Sequence, residues 1–589
     1  MEALMSRAIE ADMGLLFGLS LLVMCALLTW LFRHVLGVVG PLAVVLLSIV
    51  WTVGAMGHAG VPFTGVTSVL TSLLIVVGVG DAIHIQSSYR DALSAGNSRD
   101  QAIVQAVAQS GVPVLLTSLT TAAGLLSFRT ASLVSVQQMG TFGALGVLAA
   151  LVSTLVLLPC VLSLYRRGTF GRSRTVAIGV AAAPRDWIDR ALAVCDRCSR
   201  TPRARRATIA LALVVAIAAF AGVSRIQARF DPVASFPSDH PVRAALDSID
   251  EHVGGMGGVV LSIEAAEGES LRRAELLRRL AELQRFIEGY RADGAPLVTN
   301  VTSVLDRLRE THAALLGDGA APFAEDGVVT DLFTLLELAG PDTLSRLWTL
   351  DDQRALMVVR VHWQEAGAYL PFAAHIEQGV ERIIGDAARV RVTGSVFTAA
   401  EVVEALVADL LRSFSSALLV ISLLMLAMLR DLRLALVALV PNLLPLAVTA
   451  GLMGWVGIDL NLNTLLVASI ALGIAVDDTI HLLYQYASRR RAGLEPEPAL
   501  HGALQHSGRA MIATSVVLGA GFCVFTAAVM VNVGEFGLLV AASILFALVL
   551  DLLFTPALLR SADVGVRPWH ERTPPRPPTL DAKTSTPSP

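Results

Sequence analysis

Eleven stretches of this chain are apolar over roughly the 20 residues that a helix needs to cross a bilayer. They lie near 13–33, 37–57, 65–88, 112–130 and 138–164, then alone near 207–224, then near 413–430, 434–456, 463–487, 510–531 and 535–559. In hydrocarbon a backbone must satisfy its own hydrogen bonds, so each stretch reads as a helix. Composition agrees: 16% of the residues are charged, against roughly 25% in soluble domains. The chain is therefore expected to be a polytopic α-helical membrane protein with about 11 transmembrane helices. A net charge of −4 gives no reason to expect a nucleic-acid partner. No nucleotide-binding loop, nucleophile–base pair or metal-ligand cluster stands out, so an enzyme, a cofactor or a metal is not expected. Cys195 and Cys198 form a lone CxxC, short of the about four ligands of a structural zinc site, and read as incidental thiols.

Arginine placement sets the expected orientation. The loop 166–206 holds eleven Arg and three Asp and should be cytoplasmic. Arg430, Arg433 and Arg489 to Arg491 fall on the same side under alternation, while the short loops 57–64 and 457–462 carry no Arg or Lys. This register makes 1–12 a short external tail, puts 225–412 outside, and leaves 561–589, rich in Pro, Thr and Ser, as a disordered cytoplasmic tail. The expected location is the cell (inner) membrane.

The chain also repeats itself. At one constant offset, without a gap, Gly54, Gly57 and Gly60 fall on Gly451, Gly454 and Gly457, Asp81 and His84 on Asp478 and His481, Thr117 and Ser118 on Thr514 and Ser515, and Pro159 on Pro556. Both copies have the same expected orientation, so 13–165 and 413–560 are parallel repeats about an axis along the membrane normal. The isolated helix 207–224 and the segment 225–412 precede only the second block. "AEVVEALVADLLRSFSSALL", just ahead of that block, resembles "MEALMSRAIEADMGLLFGLS" at the start of the chain. The chain thus reads as a two-fold protein lacking its first helix and first external domain. Within 225–412, strands near 257–264, 354–363 and 388–395 alternate with amphipathic helices, one of them near 369–385. That pattern implies an α/β layer, plausibly ferredoxin-like.

Two acids and an imidazole interrupt the apolar run "GIAVDDTIHLLYQY", at Asp477, Asp478 and His481. The first repeat keeps Asp81 and His84 but has Gly80 in place of Asp477's partner position. An ionisable side chain in mid-membrane costs about 2.5–3.5 kcal/mol on insertion scales, so it is expected to be partnered and useful. Spacings of three and four put each acid and its histidine on nearly one helix face. Close carboxylates resist ionising together. The reading is a proton relay, with Asp81, Asp477 and Asp478 as carriers and His84 and His481 as partners or shuttles. Gly78, Gly80 and Gly473 would let helices approach, and Thr117, Ser118, Thr514 and Ser515 could donate hydrogen bonds to the acids. In the last span Glu535 reads as interfacial, and Asp551 as a group that could join a polar path.

"GIAVDDTIHLLYQY" resembles the acid-bearing helix of resistance–nodulation–division (RND) permeases, and "SGVPVLLTSLTTAAGLLSF" (110–128) resembles the helix that follows it. The branch it is most similar to is that of the MmpL-type and hopanoid-transporter-like exporters, which includes Patched-like proteins; 13–165 matches what is called a sterol-sensing domain. The resemblance implies a proton-motive-force-driven exporter of a hydrophobic or lipid-like substrate, with the bilayer and protons as its other partners. The single external domain implies a homo-oligomer or a partner subunit. This chain departs from the drug-efflux branch in having no membrane Lys to pair with its acids. The alternative is a non-pumping membrane sensor or accessory subunit.

Overall fold

The computed structural model describes residues 2–164 and 185–562, apart from 230, 232, 253, 267–268, 293, 318–322, 340–343 and 350. The first membrane block contains α1 (Glu2–Phe32), α2 (Val35–His58), α3 (Leu70–Ser94), α4 (Arg99–Leu126) and α5 (Val134–Ser163). Helices α6 (Arg185–Arg200) and α7 (Pro202–Val223) lead into a sheet domain. That domain holds α8 (Pro241–His252), β1 (Gly257–Ala265), α9 (Ala274–Glu288), β2 (Arg291–Ala292), β3 (Ala295–Pro296), β4 (Val298–Thr302), α10 (Val304–Leu316), α11 (Asp326–Ala339), β5 (Arg354–Val361), α12 (Leu370–Gly379) and β6 (Ala388–Thr393). The second block follows: α13 (Ser395–Leu429), α14 (Leu432–Val456), α15 (Thr464–Arg491), α16 (Pro496–Cys523) and α17 (Val531–Ala562).

Eleven helices among the described residues are long and apolar enough to cross a membrane, and they coincide with the eleven apolar stretches. Their ends differ, because hydropathy registers only the lipid-facing middle. Residues 2–12 are the first turns of α1 rather than a tail. α4 and α16 begin well before their apolar stretches, and α16 ends at Cys523, so the last residues of the stretch 510–531 form the turn into α17. The Arg-rich loop contains an amphipathic helix, α6. The expectation of a disordered tail falls almost wholly on 563–589, outside the described residues.

The sheet has strand order β4-β5-β1-β6 with every neighbour antiparallel. α9 lies in the connection from β1 to β4 and α12 in that from β5 to β6, which is the ferredoxin-like arrangement. Alternation along β1 turns Val259, Leu261 and Ile263 into the core, opposite Val359, Met357 and Ala355 of β5. The apolar stripe of α9 (Leu276, Leu277, Leu280, Leu283 and Ile287) packs in the same cluster. β4, "VTNVT", escapes a sequence reading because it is short and polar.

The repeat is a packing symmetry. α3 and α15 sit at the centre: in their most apolar windows 89% and 94% of residues are buried, against 61% or less in every other span. α4 of the first block packs on α15, and α16 of the second packs on α3. Gly124 meets Gly473 so closely that a Cβ there would come within 2.7 Å of the Ser469 carbonyl. Its repeat mate Gly521 meets Val76, the mate of Gly473. The blocks also clasp each other at the sheet-domain end. Asp12 of α1 accepts hydrogen bonds from the Val529 and Met530 amides at the entry to α17 (2.6 and 3.0 Å). Its mate Asp409 of α13 accepts from the amide and hydroxyl of Ser132 at the entry to α5 (2.8 and 2.9 Å). One contact breaks the symmetry. Gly451 and Gly454 of α14 are covered by Ala219 and Gly222 of α7, whereas their mates Gly54 and Gly57 on α2 face open space.

Candidate functional site

The central helices carry their polar groups where the two repeats meet. Ser118 of α4 donates to Asp81 Oδ2 (2.5 Å), and Thr117 to Asp81 Oδ1 (3.3 Å). In the second repeat Ser515 of α16 donates to Asp478 Oδ2 (2.6 Å), reproducing the Asp81–Ser118 pair. The Thr117 hydroxyl also lies 3.0 Å from the Val114 carbonyl, the repeat mate of Met511, and the Thr514 hydroxyl is turned back in the same way onto the Ala510 and Met511 carbonyls. Asp478 is 7% exposed, and the Ser515 hydroxyl is within hydrogen-bond reach of its carboxyl group.

Asp477 occupies the position that Gly80 leaves blank in the first repeat. It lines a cavity of about 20 Å³ together with Asp81, Thr117, Ser118 and Thr121, room for about one water. His481 Nε2 lies 3.5 Å from Asp477 Oδ1, and neither atom has an aligned hydrogen-bond partner. One turn further from the sheet domain, the His84 and His481 rings stack, 3.8 Å between centroids and 8° between planes. His84 Nε2 is buried and also lacks a partner. Beyond the rings lies a second cavity, about 40 Å³, lined by His84, Ser88, Ser110, His481, Gln485 and His506.

All five residues expected at the site thus gather at one place, with two differences from the spacing argument. Of the acids next to His481, Asp477 faces it and Asp478 turns to Ser515. Asp81 binds α4, while His84 turns to the opposite repeat. Both follow from helix geometry, since residues three apart share a face only loosely and a neighbouring helix decides which way each side chain leans.

His84, Asp477 and His481 are the one set of three such groups, among the described residues, whose ligand atoms lie within 4.8 Å of one another. As stacked, the two rings do not converge on one ion: imidazole lone pairs lie in the ring plane, and planes within 8° of parallel do not both point to a position about 2.0–2.1 Å from each nitrogen.

A further polar network adjoins Asp478 on α15 through its neighbour Thr479. Asp551 of α17, 1% exposed, is contacted by Thr479 (2.7 and 2.9 Å) and Thr555 (2.9 Å), and Thr479 also lies 2.9 Å from Asn442 Oδ1. Their repeat mates are Val45, Ala82, Thr154 and Leu158, so this network belongs to the second repeat alone. Asn442, set between Pro441 and Pro445 in an apolar helix, was the available sequence signal for it. Glu535 is placed at the sheet-domain end of α17, where Asn461 Nδ2 reaches it at 3.4 Å.

The family model described as MMPL family matches residues 3–200 and 237–576. A Methanocaldococcus jannaschii protein named as a membrane protein is 30% identical over 167 residues, 28% of this chain and 43% of that protein. The hopanoid transporter HpnN of Burkholderia multivorans is 28% identical over 180 residues, 30% of this chain and 20% of its own length. The heme uptake protein MmpL11 of Mycobacterium tuberculosis H37Rv is 29% identical over 139 residues, 23% of this chain and 14% of its own. The matched part of this chain spans less than half the length of each of these curated relatives.

Proposed function

The chain belongs to the MMPL family of polytopic membrane proteins, and on that premise we propose that it is a proton-driven, RND-type transporter of a hydrophobic or lipid-like molecule. The observation that carries this reading is the pair Asp81–Ser118 and Asp478–Ser515, two buried carboxylates placed alike in the two repeats with Asp477 between them. Protonating such a group removes a buried charge and adds an O–H donor, while one oxygen still accepts. The Ser118 and Ser515 hydroxyls then hold a neutral acid rather than a charged one, which weakens the tie to α4 and α16. The acids thereby couple proton binding to the packing of one repeat against the other. The stacked histidines stand between the acid cavity and the polar cavity beyond them. Two imidazolium rings at 3.8 Å would repel, so a proton crosses on one ring at a time.

The substrate class is carried by likeness to the hopanoid transporter, at low identity. In the proposed orientation, set by the Arg-rich segments, the sheet domain is external, the C-terminus is cytoplasmic and the cell membrane holds the spans. The test is efflux from vesicles under an imposed pH gradient. Asp478→Asn and Asp81→Asn, nearly isosteric and cheaper to bury than a charge, should leave the fold and protein level unchanged and abolish transport. Asp551→Asn should reduce transport less than either. Normal efflux in the Asp81→Asn, Asp478→Asn double variant overturns the relay.

A further inference from the structure

The cavity beyond the stacked rings, about 40 Å³, has room for about two waters. Both repeats build it: Ser88 and Gln485 are repeat mates, as are Ser110 and Ser507, and Gln109 and His506. Its inner wall is buried, with His84 and His481 4% and 7% exposed. Its outer wall is not, since Asp91, Gln109 and His506 are exposed at the end of the bundle away from the sheet domain. The space therefore runs from the histidine pair to the surface. Among the described residues, the Nε2 atom of each ring is fully enclosed, and that of His481 lies 3.5 Å from Asp477 Oδ1. The Nδ1 atoms are neither enclosed nor hydrogen-bonded, and the space that both rings line is this cavity. His481 thus offers one nitrogen to the acid and the other to the cavity.

The rest of the lining sorts by what it can do with a proton. Ser88 and Ser110 are closed on each other (2.6 Å), and Arg489 holds the Gln485 side-chain carbonyl (2.7 Å). Hydroxyls and amides do not titrate near neutral pH, and a carboxyl group such as that of Asp91 ordinarily stays ionised there. Imidazole gains and loses a proton between about pH 5 and 8. The charged groups that face His506 are Asp91 of α3 and Arg489 of α15, with the titratable His481 of α15 across the cavity.

We propose that this cavity is the cytoplasmic port of the relay and that His506 is the residue through which protons leave it. A proton on Nδ1 of one stacked ring passes to a cavity water, and from that water to the His506 ring, leaving the donor ring neutral. His506 then gives the proton to cytoplasmic water and is neutral again. The repeat mate of His506 is Gln109, whose amide cannot carry the proton, so the second repeat furnishes the port as it furnishes Asp477 on the other side of the rings. The inference rests on the proposed relay and adds its exit.

The full chain is reconstituted in phospholipid vesicles with the sheet domain outward. The outside is acidified, and proton entry, corrected for buffering, is read from pyranine trapped inside. His506→Gln, which gives the second repeat the residue of the first, should slow entry about a hundredfold, the lower end of what a positioned proton-transfer group contributes. Free histidine trapped inside, a membrane-impermeant imidazole, should restore the rate; the same compound outside should not. A merely structural role of His506 gives no such one-sided rescue. His506→Asn serves the same test if heat unfolding shows His506→Gln misfolded. Entry at the wild-type rate in the variant, slow entry that internal histidine leaves unchanged, or rescue from outside alone overturns the port. Entry that survives in the Asp81→Asn, Asp478→Asn double variant overturns the relay, whichever way His506→Gln behaves; entry lost there but unslowed in His506→Gln overturns the port alone.

Discussion

His84 of α3 and His481 of α15 lie face to face, 3.8 Å apart and within 8° of parallel, each the repeat mate of the other. The contact joins packing and proton chemistry in one pair, and substitution can separate them. His84→Phe keeps an aromatic face worth about 0.5–1.5 kcal/mol in such a pair but removes the ring nitrogens. Its unfolding midpoint should stay near wild type while efflux under a pH gradient falls. Full efflux in His84→Phe would confine the ring to a packing role.

The crossed clasps should matter for stability. Asp12 and Asp409 each accept two hydrogen bonds at the entry to a helix of the other block. Hydrogen bonds to charged groups are worth about 1.5–3 kcal/mol. Asp12→Ala and Asp409→Ala should each lower stability by about that amount, with added protease sensitivity at 528–531 and at 131–134 respectively. Cleavage appearing at the entry to the same block's own helix would contradict the crossing.

Equivalent glycines should respond unequally. Gly454→Val places methyl groups in the backbone of Gly222 and should lift α7 away from α14, while Gly57→Val points into open space. Overpacking costs about 1–3 kcal/mol. Thermal unfolding in detergent should show that loss for Gly454→Val alone; equal losses would mean that α2 is as closely covered as α14.

A pH response is built in where α6 docks. Burial pushes the Asp196 carboxyl up, but hydrogen bonds from Arg560, His501 and Arg200 outweigh it and hold the group below the usual carboxylate range. A carboxyl held low in the folded state contributes stability that is present above its unfolded value, about 3.9, and is lost as pH falls through the folded one. The mobility of a spin label at position 193 should therefore rise only below about pH 4. Arg560→Ala removes the most buried of the three donors, leaves Arg200 and His501 on the carboxylate, and should raise that mobility already at neutral pH. Mobility that stays constant from neutral pH to about pH 3 would refute the latch.

The spans, the repeat and the gathering of the acids were legible because each rests on a local signal: apolar length, a constant offset, or a charge where hydrocarbon is expected. The direction of side chains was not. That Asp477 rather than Asp478 meets His481 depends on Ser515 of α16, a residue no spacing rule on α15 includes. Asp12 and Asp409 fall on each other at the repeat offset, but nothing in the sequence marks what they bind, because their partners are mostly backbone amides, which carry no residue signature. β4 and α6 were missed for the reverse reason: a short polar strand and an Arg-rich helix both resemble loop.

The two clasps also differ in time. Asp409 is made after its partner Ser132, from which it stands 277 residues away, and finds the entry to α5 already in place. Asp12 precedes its partner Val529 by 517 residues. At roughly 5–20 residues per second of synthesis, that carboxylate waits on the order of half a minute to nearly two minutes for the amides that receive it. Throughout that interval α1 lies in a nascent chain in which this contact does not yet exist, and the Asp12 clasp forms only as the entry to α17 leaves the ribosome.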